Sequence, residues 1–123
     1  MAHLQFAECI QACYDCADAC DHCSVACLAE DDPKMMARCI ELDIDCAQLC
    51  RLAAGYMARD SEFVPAMCGV CADVCEACAE ECAQHDMQHC QECAEACKRC
   101  AKLCRQMATK AASTRSVRST ATA

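Results

Sequence analysis

One residue recurs at one rhythm along this chain: cysteines fall at steps of three and four in four successive arrays. The first array holds Cys9, Cys13, Cys16, Cys20, Cys23 and Cys27. The second holds Cys39, Cys46 and Cys50, with Asp43 standing where another cysteine is due. The third carries Cys68, Cys71, Cys75, Cys78 and Cys82, and the fourth Cys90, Cys93, Cys97, Cys100 and Cys104. Steps that alternate between three and four keep a set of side chains on one stripe of a helix, as the a and d positions of a heptad do. A strand's period of two matches none of it. Each array therefore predicts a helix that points a stripe of sulfur inward, with Asp, Glu, Gln, Arg and Lys on its outer positions.

The breaks between arrays carry matching signals. Asp31-Asp32-Pro33 reads as an N-cap followed by proline in the first turn of the second helix. Gly55 through Pro65 holds the next break, with Ser61 as a cap followed by Glu62, and His85-Asp86 forms the last tight turn with Asp86 capping. Connections this short force neighbouring helices antiparallel. The fold class is all-α: an up-down-up-down four-helix bundle with a cysteine-lined core, its helices spanning about 4–29, 33–58, 62–84 and 87–108. Residues 1–108 make one bundle domain. From Thr109 the sequence is Ala, Ser and Thr with scattered Lys110, Arg115, Val117 and Arg118, and the expectation for 109–123 is a flexible tail.

Composition says why such a core needs more than hydrocarbon. Nineteen of the 123 residues are Cys, while the chain has no Trp, two Phe and two Tyr. Ala and Cys must fill the interior, and they do not build a dense core unaided. The stretch Met1-Ala2-His3-Leu4-Gln5-Phe6 has neither the basic nor the apolar region of a secretion signal, and no apolar run is long enough to span a bilayer. The expected compartment is the reducing cytosol, where dense cysteine patterns indicate metal rather than disulfides. A net charge of −8 argues against a nucleic-acid partner.

Several chemistries can use inward sulfurs. Cysteine as a small hydrophobe accounts for one or two such positions but not for four aligned ladders. Helical neighbours at i,i+3 or i,i+4 have Cβ atoms about 5–6 Å apart, wider than the roughly 3.5–4.5 Å of a disulfide. Iron–sulfur ligation in the bacterial ferredoxin manner uses a loop spacing that these helical steps lack. No cysteine is paired with a histidine base in a catalytic arrangement, so the chain reads as a non-enzyme.

Soft metal ions remain, and charge separates them. A tetrahedral zinc site of four thiolates keeps about two negative charges, so filling the core with zinc would bury about four or five such sites. Cu(I) bridged by thiolates at about one ion per sulfur replaces one proton per ion and leaves the core neutral. The residues thus favour storage and buffering of many Cu(I) ions, about 19 if nearly every sulfur takes part. A metallothionein-like sequestrant of Zn(II) or Cd(II) stays open as an alternative, as does an iron–sulfur redox protein.

The two ends of such a bundle differ. One gathers Met35, Met36, Cys39, His85, Met87, His89 and Cys90. Thioether and imidazole suit Cu(I) and bind it more weakly than thiolate, so Met36 and His85 on the stripes, with Met87 and His89 beside them, are candidates for passing ions inward. The opposite end gathers Phe6, Met57, Phe63, Val64 and Met107 as an apolar stopper. His3 and His22 fall off the stripes and read as surface. Asp43 is a candidate polar ligand, a partner for thiol hydrogen bonds, or a gap in the ladder.

With its four ladders, its short capped turns and the segment Ser61-Glu62-Phe63-Val64-Pro65-Ala66-Met67-Cys68, the chain resembles the bacterial copper storage proteins, in particular their cytosolic branch, over about residues 1–108. That resemblance implies a homotetramer of four-helix bundles. It implies Cu(I) held mainly by cysteine pairs on the same or adjacent helices, and loading at a His- and Met-bearing end. It is compatible with outward Tyr14, Leu28, Ile40 and Ile44 forming a subunit interface. Copper ions are the expected ligand, supplied by a cytosolic copper chaperone or thiol carrier, with neither nucleic acid nor membrane as partner.

Overall fold

The computed structural model describes residues 2–122, and side chains from 4 to 109. A single turn, α1 (Ala2–Gln5), leads into α2 (Ala7–Leu28). A 3-10 turn over Pro33–Met36 then opens α3 (Ala37–Ala58), and α4 (Val64–Ala83) and α5 (Gln88–Thr122) follow. No strand occurs among the described residues. Contacts join α2 to α3, α3 to α4, α4 to α5 and α5 back to α2, which closes the four long helices into a ring around one interior. The short turns make successive helices antiparallel. The expected four-helix bundle is therefore the observed one.

All 19 cysteines lie on the inward stripes and are buried as free thiols. Between the sulfur rows sit buried alanines, among them Ala12, Ala17, Ala47, Ala72 and Ala94. Alanine is the best helix former and the smallest side chain that holds a helix without loss of backbone stability, so it lets the four helices approach while sulfur takes the axis. The larger buried apolar side chains are confined to the ends: Phe6, Met57, Val64 and Met107 at one, Met36 at the other. Phe63, expected in the stopper, is 57% exposed. It stands one residue before the first turn of α4, where the stripe has not begun.

An arginine reaches across each seam of the ring. Arg51 of α3 meets Asp18 and Asp21 of α2 at 3.6 and 2.9 Å, and Arg38 meets Glu81 of α4 at 3.4 Å. Arg105 of α5 reaches Asp73 and Glu76 of α4 at 2.8 and 2.9 Å, while Arg99 reaches Glu8 and Asp15 of α2 at 3.7 and 3.8 Å. Apart from Glu81, whose side chain is largely covered, these groups are exposed, and the pairs set the register of neighbouring helices more than they stabilise them.

The turns depart from expectation in detail. Pro33 does occupy the first position, but Asp32 makes no side-chain cap bond, and one 3-10 turn precedes α3. That tighter turn carries Met36 into the interior. Gly55 is helical and belongs to α3; the break comes after it, at residues 59–63. There Asp60 adopts φ 52°, and the N–H groups of Asp60 and Ser61 bond to the carbonyls of Met57 and Tyr56 at 3.1 and 3.0 Å. This is the paired carbonyl capture of a left-handed helix terminus, with aspartate where glycine is commoner. Ser61 does not cap α4, whose N-cap is Phe63 without a side-chain cap bond; the Ser61 hydroxyl accepts from the N–H of Phe63 at 3.1 Å in the turn before the helix. At the last turn Asp86 makes no cap bond. Gln91 holds that turn instead, donating to the carbonyls of His85 at 2.6 Å and Ala83 at 3.3 Å. The backbone of α5 continues as helix beyond residue 108 to Thr122, a stretch without glycine or proline to stop it.

Candidate metal centre

The sulfurs form a continuous column. Across adjacent helices Cys39 and Cys82 approach to 3.4 Å, as do Cys46 and Cys75. Cys16 and Cys97 lie 3.6 Å apart, Cys50 and Cys100 3.7 Å, and Cys9 and Cys104 3.6 Å. Along single helices the i,i+4 pairs Cys23–Cys27 and Cys71–Cys75 stand at 3.8 and 3.9 Å. These are thiol-to-thiol contacts, too long for disulfides and short enough for one ion to bridge two sulfurs.

Several groups of four sulfurs have all members within 4.8 Å of one another. One is Cys23, Cys27, Cys39 and Cys90; deeper ones are Cys20, Cys78, Cys93 and Cys97, then Cys16, Cys20, Cys46 and Cys97. Further along come Cys16, Cys46, Cys50 and Cys75, then Cys13, Cys71, Cys100 and Cys104. The three middle groups share corners: Cys20 and Cys97 belong to two of them, and so do Cys16 and Cys46. Four of these groups have no member in common, but short sulfur contacts also run between them, Cys16–Cys97 at 3.6 Å and Cys50–Cys100 at 3.7 Å. An unbroken column of this kind suits ions that accept bridging sulfur.

Asp43 is fully buried inside this column. Its Oδ1 accepts from the thiols of Cys78 at 3.2 Å, Cys93 at 3.3 Å and Cys82 at 3.6 Å, and its Oδ2 faces Cys39 at 3.9 Å. Burial first, then the nearby sulfurs of Cys93, Cys78 and Cys39, push its carboxyl up to about 10. Aspartate on the second ladder is thus a thiol-bonded group in the column and not a gap in it. Among the thiols, burial followed by the neighbouring Cys39 pushes Cys90 up to about 11 and also raises Cys27. Deeper in, hydrogen bonds from Cys100 and Cys20 lower Cys16, while the bond to Cys16 raises Cys20.

At the end bearing Met36, the four candidates fare differently. Met36 is 1% exposed and belongs to the same buried cluster as the sulfurs. Met87 is half-buried against the core. His85 is held at one nitrogen by a carboxylate: its Nε2 lies 2.8 Å from Oε2 of Glu81, which also holds Arg38. His89 is the imidazole that meets the thiols, with Nδ1 3.4 Å from Cys23 Sγ and 3.6 Å from Cys90 Sγ. Its Nε2 lies 2.9 Å from Oε2 of Glu30. A carboxylate only accepts, so Nε2 donates to it, and in the neutral ring this leaves Nδ1 as the acceptor facing the sulfurs. Met35 is 71% exposed, and His22 lies at the surface with its ring edge-on to His89. The side chain of His3 lies outside the described residues.

Glu30 and Glu81 were not among the residues singled out from the sequence. A signal existed for Glu30: in an antiparallel bundle the end of the first helix faces the start of the fourth, which places a carboxylate opposite His89.

A sequence model of the family described as copper storage protein matches residues 2–109. The chain belongs to the copper storage protein family. Solved structures agree. Copper storage protein 3 from Bacillus subtilis in its apo form is 50% identical, with 84% of this chain and 98% of that one covered at a TM-score of 0.80. The Cu(I)-bound copper storage protein BsCsp3 matches at the same identity and TM-score, with 97% of its length covered. A cytosolic copper storage protein from Streptomyces lividans, solved during copper loading with five coppers, is 37% identical, with 88% and 95% covered and a TM-score of 0.84. The uncharacterized cysteine-rich protein YhjQ of Bacillus subtilis strain 168 is 50% identical over 71 residues, which are 57% of this chain and 66% of that protein's length.

Proposed function

We propose that this chain stores and buffers Cu(I) in its sulfur column, at about one ion per cysteine, without catalysing a reaction. The observation that carries the reading is the run of sulfur contacts that continues between quartets, Cys16–Cys97 at 3.6 Å and Cys50–Cys100 at 3.7 Å among them, which favours bridged Cu(I) over separate tetrahedral zinc sites. Each ion that binds replaces one thiol proton, so a column closed to water stays neutral as it fills. The nineteen cysteines are the main ligands, and Asp43 is an oxygen donor within the column.

Loading takes place at the end formed by Met36, His85, Met87 and His89, with His89 as the residue that hands ions to Cys23 and Cys90. The donor is a thiol carrier or copper chaperone of the cytosol, and four bundles associate as a homotetramer. The ions are held within residues 1–108, and residues 109–123 form a flexible extension that takes no part in holding them.

The test is an anaerobic Cu(I) titration of the fully reduced protein, with a chromophoric chelator reporting free copper. Retention of about 19 ions before the chelator colours is expected. Saturation at about four or five would replace this reading with discrete four-thiolate sites.

A further inference from the structure

The mouth of the column is shut. Cys27, Cys39, Cys82 and Cys90 are wholly inaccessible, and Met36 of the 3-10 turn is buried in the same cluster. An ion can pass only if something there moves. The covering segment, residues 29–36, is held lightly: its N–H bonds run from Ala29 to Ala26, Glu30 to Cys27 and Met35 to Asp32 at 3.1–3.2 Å. Its 3-10 turn is a poorer hydrogen-bonding arrangement than an α-helix. Across the mouth, the segment's one side-chain tie to α5 among the described residues is the Glu30 carboxylate on His89, at 2.9 Å.

We propose that Glu30 is the positioning residue of this mouth, holding His89 and the 29–36 segment closed and thereby setting the rate of copper exchange without changing the number of ions held. The assignment rests on the reading that ions pass at this end. Glu30 acts in two ways through one bond. It fixes the proton on Nε2 of His89, so that Nδ1 faces Cys23 and Cys90, as outer carboxylates orient metal-binding histidines. It also ties the end of α2 to the start of α5, so that Met36 stays seated. A hydrogen bond to an ionised acceptor is about twice as strong as a neutral one, which suits a latch that must be opened rather than one that drifts. His85, in the turn after α4, does not take this place, because its Nε2 is already bonded to Glu81 near the end of that helix. Copper remains Cu(I) throughout: each ion that leaves returns one proton to a sulfur, and no electron moves.

The test compares wild type, Glu30→Ala, Glu30→Gln and, at the far end, Met107→Ala. All are loaded anaerobically with Cu(I) and then mixed with excess chromophoric Cu(I) chelator, with copper counts and helicity measured beforehand. Glu30→Ala is expected to keep the wild-type count and to release copper about tenfold faster. Glu30→Gln retains an acceptor for Nε2–H and is expected to stay within about threefold of wild type. Faster release from Met107→Ala with none from Glu30→Ala would place the passage at the other end and overturn both this role and the port reading. A wild-type rate in both, with full counts, would overturn the role of Glu30 alone. Glu30→Gln as fast as Glu30→Ala would overturn it too, since charge and not the bond would then govern the rate.

Discussion

The two ends of the bundle close the same sulfur column by different means. At one end Phe6, Met57, Val64 and Met107 pack as a hydrocarbon plug. At the other, one large apolar side chain, Met36, is buried with the sulfurs, and a carboxylate–imidazole pair joins Glu30 to His89. Hydrocarbon packing is non-directional and gains by staying closed. A single hydrogen-bonded pair can open and re-form without disturbing the rest of the bundle. A container for labile ions needs both kinds of end, because a column open at neither end could not load and one open at both could not exclude water.

Matched substitutions offer the strongest way to break this comparison. Met57→Ala is expected to lower the stability of the reduced apo-protein by about 2–5 kcal/mol in urea denaturation, because its cavity lies within a dense plug. Met36→Ala, at the rim where water can fill the space, is expected to lose less than about 2 kcal/mol and to speed copper release to a chelator. Equal losses at both positions would mean that the ends are equally packed.

The column between the ends gives a pH signature. In the folded apo-protein Asp43 keeps its proton up to about pH 10, whereas in the unfolded chain it ionises near the ordinary carboxyl value. Between those limits unfolding releases a proton, so this residue's contribution to stability is fully present in acid and falls as pH rises, by at most about 1.4 kcal/mol per pH unit. Asp43→Asn removes that slope. Urea midpoints compared at about pH 5 and about pH 8 should diverge between the two proteins, with wild type losing more. Parallel midpoints would show that Asp43 is ionised in the apo-protein.

The paired histidines sharpen the contrast at the mouth itself. His89→Ala is expected to change the rate of copper uptake about tenfold, and His85→Ala by less than about twofold, since only His89 touches the thiols. Stopped-flow mixing with a Cu(I) donor complex distinguishes them. The smallest effect is expected at Phe63, which lies outside the plug: Phe63→Ser should shift stability by no more than about 0.5 kcal/mol.

What the sequence determined by itself was everything that depends on period. Steps of three and four set the angular position of each cysteine on its helix, and that was enough to predict four helices, their sulfur stripes, their antiparallel order and the storage of a thiophilic ion. Periodicity says nothing about loops or about which side chains meet across helices, and those were decided by the tertiary structure. Phe63 looked like part of the plug until the start of α4 placed it before the stripe. His85 has the better stripe position, yet Glu81 one turn earlier takes its ring, while His89 reaches Cys23 across the bundle. Asp43 could have been a gap, and became a bonded member of the column only because α4 and α5 bring Cys78, Cys82 and Cys93 to one of its oxygens. Glu30 lies beyond the last ladder position, so no repeat marks it. Its partner is 59 residues away, brought within reach by the closing of the ring.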